Sequence, residues 1–340
     1  MDDTASVYQT AIMDGSSDFS EPEQIDHPTP SSSTMLYTPL PSQPLPTDLL
    51  TTTTSPEDES SLSPSPLTGP SLASPRDRIP RGIYTPNPAG TLTFIGLRAI
   101  EPLLQSYLLS PSSPFLKLLP KLGIPVLPPS LLSPNNTPTA EILSWMGRLS
   151  RLKQAYWAGF IAREPITPKL ALILALLEAA ANTVNSLLYL IPKTSTALLK
   201  TVSIPLLGDV ELPLPVLVGS LMFALGLAVE TISERQRSFF KEEYITVGGK
   251  RIRVNEGKIC DRGLWSLARH PNYGGYVLWR TGYGIAAGGW LAGLGLGLAH
   301  AGHFAGESVG LMDEYMNNRY GGAWSQHKQR VGWVLIPGIY

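Results

Sequence analysis

The chain has 340 residues with 26 Lys and Arg against 27 Asp and Glu, a net charge of −1, and only 16% charged residues. That near-neutrality is a cancellation: residues 1–75 hold no Lys or Arg and carry −11, while residues 76–340 hold all 26 basic residues and carry +10. A single cysteine, Cys260, excludes an internal disulfide framework and a Cys-cluster zinc site.

Residues 1–85 are read as a disordered tail. Runs such as TPLPSQPLPTDLLTTTTSPEDESS are dense in Ser, Thr and Pro and have no period of 2 or 3.6, so they cannot bury enough apolar area to offset chain entropy. Residues 1–30 lack the basic start and early apolar run of a cleavable secretory signal. From about residue 90 the texture changes. TLTFIGLRAIEPLLQSYLLS is mostly apolar, and its Arg98 and Glu101 stand i,i+3, where they can pair. Residues 111–140 are broken repeatedly by proline and suggest a re-entrant or interfacial stretch. WMGRLSRLKQAYWAGFIA (145–162) mixes Arg148, Arg151 and Lys153 with aromatics, as suits a helix at a membrane interface.

Three apolar runs follow. Residues 169–191 and 213–232 each reach the roughly 20 residues needed to cross the hydrocarbon layer. Residues 274–306 form a longer Gly, Ala and Leu stretch, read either as one tilted helix or as a helical hairpin. The fold expected is all-α: a polytopic transmembrane helical bundle over 86–340, preceded by the tail. Between the last two runs, residues 233–270 carry nine Lys and Arg against five acids, which predicts a cytosolic face for that segment. Its basic residues flank apolar runs, so nucleic acid is not the expected partner. A membrane and a lipid are.

No P-loop, GxSxG, HExxH or strand-borne GxGxxG is present. The glycines of 282–298 lie within an apolar helix and predict close helix packing, not a phosphate cradle. Any nucleotide cofactor must therefore be held by side chains, and these concentrate in the last third. Arg237 and Lys241 stand i,i+4 on one helical face and would repel unless an anion sat between them. RGLWSLARHPNYGGYVLW gathers Trp265, Arg269, His270, Asn272, Tyr273 and Trp279 at the mouth of a span, where Pro271 interrupts backbone bonding. Arg and His offer charge-assisted bonds to phosphate or carboxylate, Asn can read an amide, and the rings can stack. Near the end, HFAGESVGLMDEYMNNRYGGAW sets Glu307, Asp313, Glu314, Asn317, Arg319 and Tyr320 close against a span, where ionisable groups are costly and suggest a site. His300 and His303 have no third ligand in register, so no metal is expected.

LWSLARHPNYGG, and YGGAWSQHKQRVGWVLIPGIY at the end, resemble the sterol and steroid reductase superfamily, which takes in sterol reductases, steroid 5α-reductases and DUF1295-type fungal membrane proteins. QRSFFK resembles that family's paired-base segment, and the likeness covers about 230–340. It implies an enzyme of the endoplasmic reticulum membrane that uses NADPH to reduce a carbon–carbon double bond in a sterol, steroid or related lipid. Carried over residue by residue, Arg237 and Lys241 would meet phosphates, while Trp265, Arg269, His270, Asn272 and Tyr273 would line the cofactor. Asp313 or Glu314 and Tyr320 would complete the wall, with Tyr273 and Tyr320 as candidate proton donors.

A second resemblance competes with the first. Isoprenylcysteine carboxyl methyltransferases and phospholipid methyltransferases share Arg-His-Pro-x-Tyr-x-Gly followed by an aromatic and Trp, as in RHPNYGGYVLW. At Tyr276 the reductases usually carry an acid. This alternative implies S-adenosylmethionine in the same pocket.

Overall fold

The computed structural model of the protein describes residues 77, 79–82, 85, 87–108, 110, 113–133, 137–204 and 210–340. The expected tail therefore lies almost wholly outside the described residues. Its last part does not: Asp77 accepts from the Arg81 guanidinium at 2.9 Å, and Gly82 packs against Tyr315 and Arg319.

The described part is mostly helical, and proline punctuates it. Helices α1 (Pro88–Leu108), α2 (Pro114–Lys121), α3 (Pro129–Leu132), α4 (Pro138–Tyr156) and α5 (Pro168–Leu190) all begin on a proline. The first helical position suits it, because φ is already set and the missing N–H has no partner to lose. Thr137 and Thr167 cap α4 and α5 by accepting from Ala140 N and Leu170 N. Within the proline-rich stretch, residues 114–132 are thus two short helices linked by a turn and extended chain. Beyond β1 (Thr201–Ile204) and β2 (Val210–Pro213) comes α6 (Leu214–Glu242), then β3 (Tyr244–Val247) and β4 (Lys250–Arg253). The chain ends in α7 (Pro271–His303), α8 (Val309–Tyr320) and α9 (Gly322–Arg330). The two antiparallel hairpins depart from the all-α expectation. In the second, Gly248 and Gly249 both take positive φ, the turn that matches the twist of paired strands.

Among the described residues, three helical segments are long and apolar enough to cross a membrane: Pro168–Leu190, Leu214–Glu242 and the run Pro271–Tyr320. The last does not run straight. Gly289 has φ 76° and ψ −176°, open only to glycine, and the chain reverses there. Tyr273 and Phe304 would stand about 45 Å apart in one straight helix at 1.5 Å per residue, yet their rings stack at 4.6 Å. A Cβ on Gly297 would meet the Thr281 hydroxyl, and one on Gly293 would meet Ile285. Of the two readings of 274–306, the structure takes the hairpin.

Glycines also set the main helix pair. Gly219 and Gly226 of α6 abut Gly282, Trp279 and Gly275 of antiparallel α7 so closely that a Cβ at any of these glycines would lie 2.4–2.5 Å from backbone. The close packing predicted for the glycines of 282–298 is realised at Gly282 and extends to Gly275. Leu172, Leu176, Leu221, Leu225, Leu291 and Leu298 point outward and stay exposed.

Inside, buried charges sit among apolar clusters such as the one around Phe223, Trp279 and Ala286. The pair Arg98–Glu101 forms as its spacing predicts, both side chains buried. Glu178 of α5 receives Arg280, and Asn182 bridges Arg280 at 2.9 Å and Glu101 at 2.6 Å. The Tyr276 hydroxyl donates to Glu178 at 2.7 Å and accepts from Arg280 Nε at 3.1 Å. Where the reductases carry an acid, this chain has a tyrosine, and a carboxylate reaches it from α5. Lys153 likewise pairs with Glu230 and Glu234, and Trp279 donates to Glu230 at 2.7 Å. Pairing makes this buried charge tolerable, although Arg98 Nε and Nη2 have no hydrogen-bond partner among the described residues.

Candidate cofactor site

The site forms where α6 ends, α7 begins and α8 returns. Trp265 fixes the approach to α7: its Nε1 donates to Ser233 O at 2.7 Å, pinning the turn Gly263–Ser266 to α6. Gly263 at φ 60° leaves room for Gln236, whose Oε1 accepts from Leu264 N at 2.9 Å. Arg269 and His270 then pair through their backbone N–H groups with Trp333 O and Val334 O, at 3.0 and 2.8 Å. Val334, Leu335 and Ile336 in turn donate to Tyr340 O, so the last residues cap the start of α7. Gly274 is needed there, since a Cβ would lie 2.2 Å from Leu335 O.

These elements enclose two adjoining cavities. One, of about 190 Å³, is lined by Arg81, Glu234, Arg237, Lys241, Trp265, Asn272, Tyr273 and Tyr320, among others. A smaller one of about 40 Å³ shares Arg237, Lys241, Trp265, Asn272, Tyr273 and Tyr320 with it and adds Cys260, Arg269, His270, Met316 and Trp324, among others. Of the residues singled out by sequence, Arg237, Lys241, Trp265, Arg269, His270, Asn272, Tyr273 and Tyr320 all converge on this wall.

Asp313 and Glu314 do not line either cavity. Asp313 accepts from Trp324 Nε1 at 2.7 Å and pairs with Lys328 at 3.1 Å, joining α8 to α9, and Glu314 is exposed. His303 lies 3.5 Å from Glu307, and His300 stands edge-on to Tyr276. Among the described residues no three His, Cys, Asp or Glu converge as metal ligands.

His270 lies 4% exposed, stacked on Tyr273 at 5.3 Å and tilted against Trp324 at 6.5 Å. Burial, reinforced by Arg269 and Arg237, pushes its pKa down to about 3. It is a neutral ring, not the cation its sequence context suggested for an anionic ligand. Arg237 sits over the Trp265 ring at 5.9 Å. Lys241 donates to Lys258 O and, at 3.2 Å, to the Tyr320 hydroxyl, both neutral oxygens. Four buried atoms on the walls have no hydrogen-bond partner among the described residues: Arg163 Nε and Arg269 Nε, both donors, Asn272 Oδ1, an acceptor, and His327 Nδ1. Unmade bonds of this kind cost about 1–3 kcal/mol each unless a water or a ligand supplies the partner.

Sequence reasoning missed three contributors. Arg81 was assigned to the tail, and Glu234 was passed over inside ISERQR although it stands i,i+3 from Arg237 on the same helix. Cys260 is buried beside Phe240 and Trp265, and burial raises its pKa.

Residues 180–300 match the profile of a family described as a protein of unknown function (DUF1295). The probable O-methyltransferase ustE of Ustilaginoidea virens is 30% identical over 253 residues, covering 72% of this chain and 84% of that protein. The chain belongs to the same family as that protein. The DUF1295 match holds QRSFFK and LARHPNYGG, so it takes in Arg237 through Tyr273 but stops short of Tyr320.

Proposed function

We propose that the chain is a membrane-embedded methyltransferase that binds S-adenosylmethionine at the α6–α7–α8 mouth and modifies an oxygen of a lipid-soluble acceptor. The carrying observation is that two of the unpartnered wall atoms, Arg269 Nε and Asn272 Oδ1, are of opposite hydrogen-bonding sense. A cationic donor, Arg269, and a neutral acceptor, Asn272 Oδ1, together match the carboxylate and ammonium of an amino-acid end. The residues fit the rest of that group as well. Trp265 and Tyr320 offer faces for a purine, and Met312 with Met316 gives a soft, polarisable wall for a sulfonium. When bound, the cofactor supplies an electrophilic methyl group. The name of the Ustilaginoidea virens relative supports this reading, as does RHPNYGGYVLW.

The chain's own residues do the rest. Neutral His270 braces Tyr273 and closes the cavity floor against Trp324. Glu234, sharing Lys153 with Glu230, is placed beside Asn272 to take a proton from an acceptor hydroxyl. The basic 233–270 segment faces the cytosol, and the membrane is that of the endoplasmic reticulum.

One observation favours the alternative. The neutral oxygens around Lys241 leave its charge uncompensated one helical turn from Arg237, which suits the phosphates of NADPH and a reductase acting on a lipid double bond. A binding screen in detergent separates the two. S-adenosylmethionine is expected to bind saturably, NADPH not, and Arg269→Ala to lose at least about tenfold in affinity with its charged bonds. Binding of NADPH alone would replace the methyltransferase reading by the reductase one.

A further inference from the structure

A separate cavity of about 500 Å³ opens among α1, α3, α4, α5 and α7 and shares no lining residue with the cofactor site. It meets α7 at Tyr283 and Ala287, whereas the cofactor cavities meet α7 at Asn272 and Tyr273. Along a helix that separation is about 15–22 Å. The Arg280–Glu178–Tyr276 cluster lies between. A group reacting at the cofactor site does not reach this space.

Most polar groups on its wall are already satisfied. Asn182 is held by Glu101 and Arg280, and the Tyr283 hydroxyl donates to Leu143 O at 3.1 Å. Asn185 is different. It is 3% exposed, and its Oδ1 has no hydrogen-bond partner among the described residues. Such an atom asks for a donor from a ligand. At the rim stands Arg148, exposed and stacked over Trp145 at 4.9 Å, with no carboxylate within ion-pair distance among the described residues. Its neighbour Arg151 spends part of its charge on Glu101 at 3.6 Å. The surplus is close to one positive charge, which matches a carboxylate better than a doubly charged phosphate. Leu132, Ala140 and Leu143 give the interior an apolar lining.

We infer that this cavity binds an amphiphile with a carboxylate head and a hydroxyl group, the head on Arg148 and Arg151 and the hydroxyl on Asn185. The inference stands whichever cofactor the other site takes.

Equilibrium binding of radiolabelled 3-hydroxypalmitate to the full chain in detergent tests it, with palmitate and hexadecanol as competitors. The hydroxy acid is expected to bind saturably and hexadecanol to compete at least about tenfold more weakly, for want of the charged bond. Arg148→Gln should weaken both acids about tenfold, and this exposed position leaves the fold intact. Asn185→Leu should erase the preference for 3-hydroxypalmitate over palmitate. Hexadecanol competing as well as the hydroxy acid, or both variants keeping wild-type binding, would overturn the assignment.

Discussion

His270 shows how a residue's chemistry is set by its burial. In the unfolded chain it titrates near 6.5, whereas in the folded protein Arg269, Arg237 and Arg81 add to burial and hold it neutral to about pH 3, opposed only by the negative charge of Asp313. The folded pKa is depressed, so the unfolded chain binds the extra proton between those values. The stability it contributes is full above pH 6.5 and is lost as pH falls toward 3, at up to about 1.4 kcal/mol per pH unit. Thermal unfolding in detergent should therefore fall more steeply from pH 7 to pH 4.5 in the wild type than in His270→Gln. Parallel profiles would show that the ring titrates freely. Cys260 offers a second residue-scale check. Its thiol is buried on the cavity wall with a raised pKa, so maleimide should label it slowly at pH 7 and more slowly still with S-adenosylmethionine bound. Labelling unaffected by saturating S-adenosylmethionine would put that cofactor elsewhere.

At the scale of elements, the α6–α7 contact depends on glycines that differ sharply in what surrounds them. A Cβ at Gly282 would meet Gly219 O and Phe223 N at 2.5 Å, both backbone atoms that cannot swing away. Gly295 has nothing within 4 Å. Gly282→Ala should cost about 1–3 kcal/mol of stability as an overpacked contact, and Gly295→Ala should be neutral or gain about 0.5–1 kcal/mol. Equal melting temperatures for the two variants would dissociate the helix pair. The same contrast explains what was legible beforehand. Hydropathy located α5, α6 and the long Gly-rich run, because solvent and lipid impose themselves on whole segments. The convergence of Arg237, Lys241 and the Trp265–Tyr273 cluster was legible too, since those residues flank two span ends that a short loop must bring together. The paired strands β3 and β4 escaped because a Gly-Gly turn between β-branched residues is a local signal that segment hydropathy averages away. Glu178 escaped for a different reason. One acid in an apolar helix shows its meaning only when Tyr276 and Arg280, about a hundred residues later, arrive beside it.

For the whole molecule, the reversal at Gly289 is what makes the site possible. A straight continuation of α7 would carry α8 tens of ångströms from Arg237, and Tyr320 and Met312 could not share a cavity with Tyr273. With the turn in place, α6 and the two arms of the hairpin alternate in direction. The end of α6, the start of α7 and α8 then fall on one face and Gly289 on the other. If α6 and both arms cross the bilayer, cysteines placed at Arg251 and Leu291 in a Cys260→Ser background should react with membrane-impermeant maleimide from opposite faces of oriented vesicles. Arg251 is exposed on β4, and Leu291, 90% exposed, lies two residues past the turn, so neither substitution reaches the core, although Arg251 gives up its place over the Tyr244 ring at 4.6 Å. Labelling of both from the cytosolic face would mean that the hairpin dips into the membrane and returns without crossing. The cofactor mouth would keep its place in that case, since α6 and the Tyr273–Phe304 stack set it directly, but the 500 Å³ cavity around Asn185 would then lie within the membrane and fill only from its lipid side.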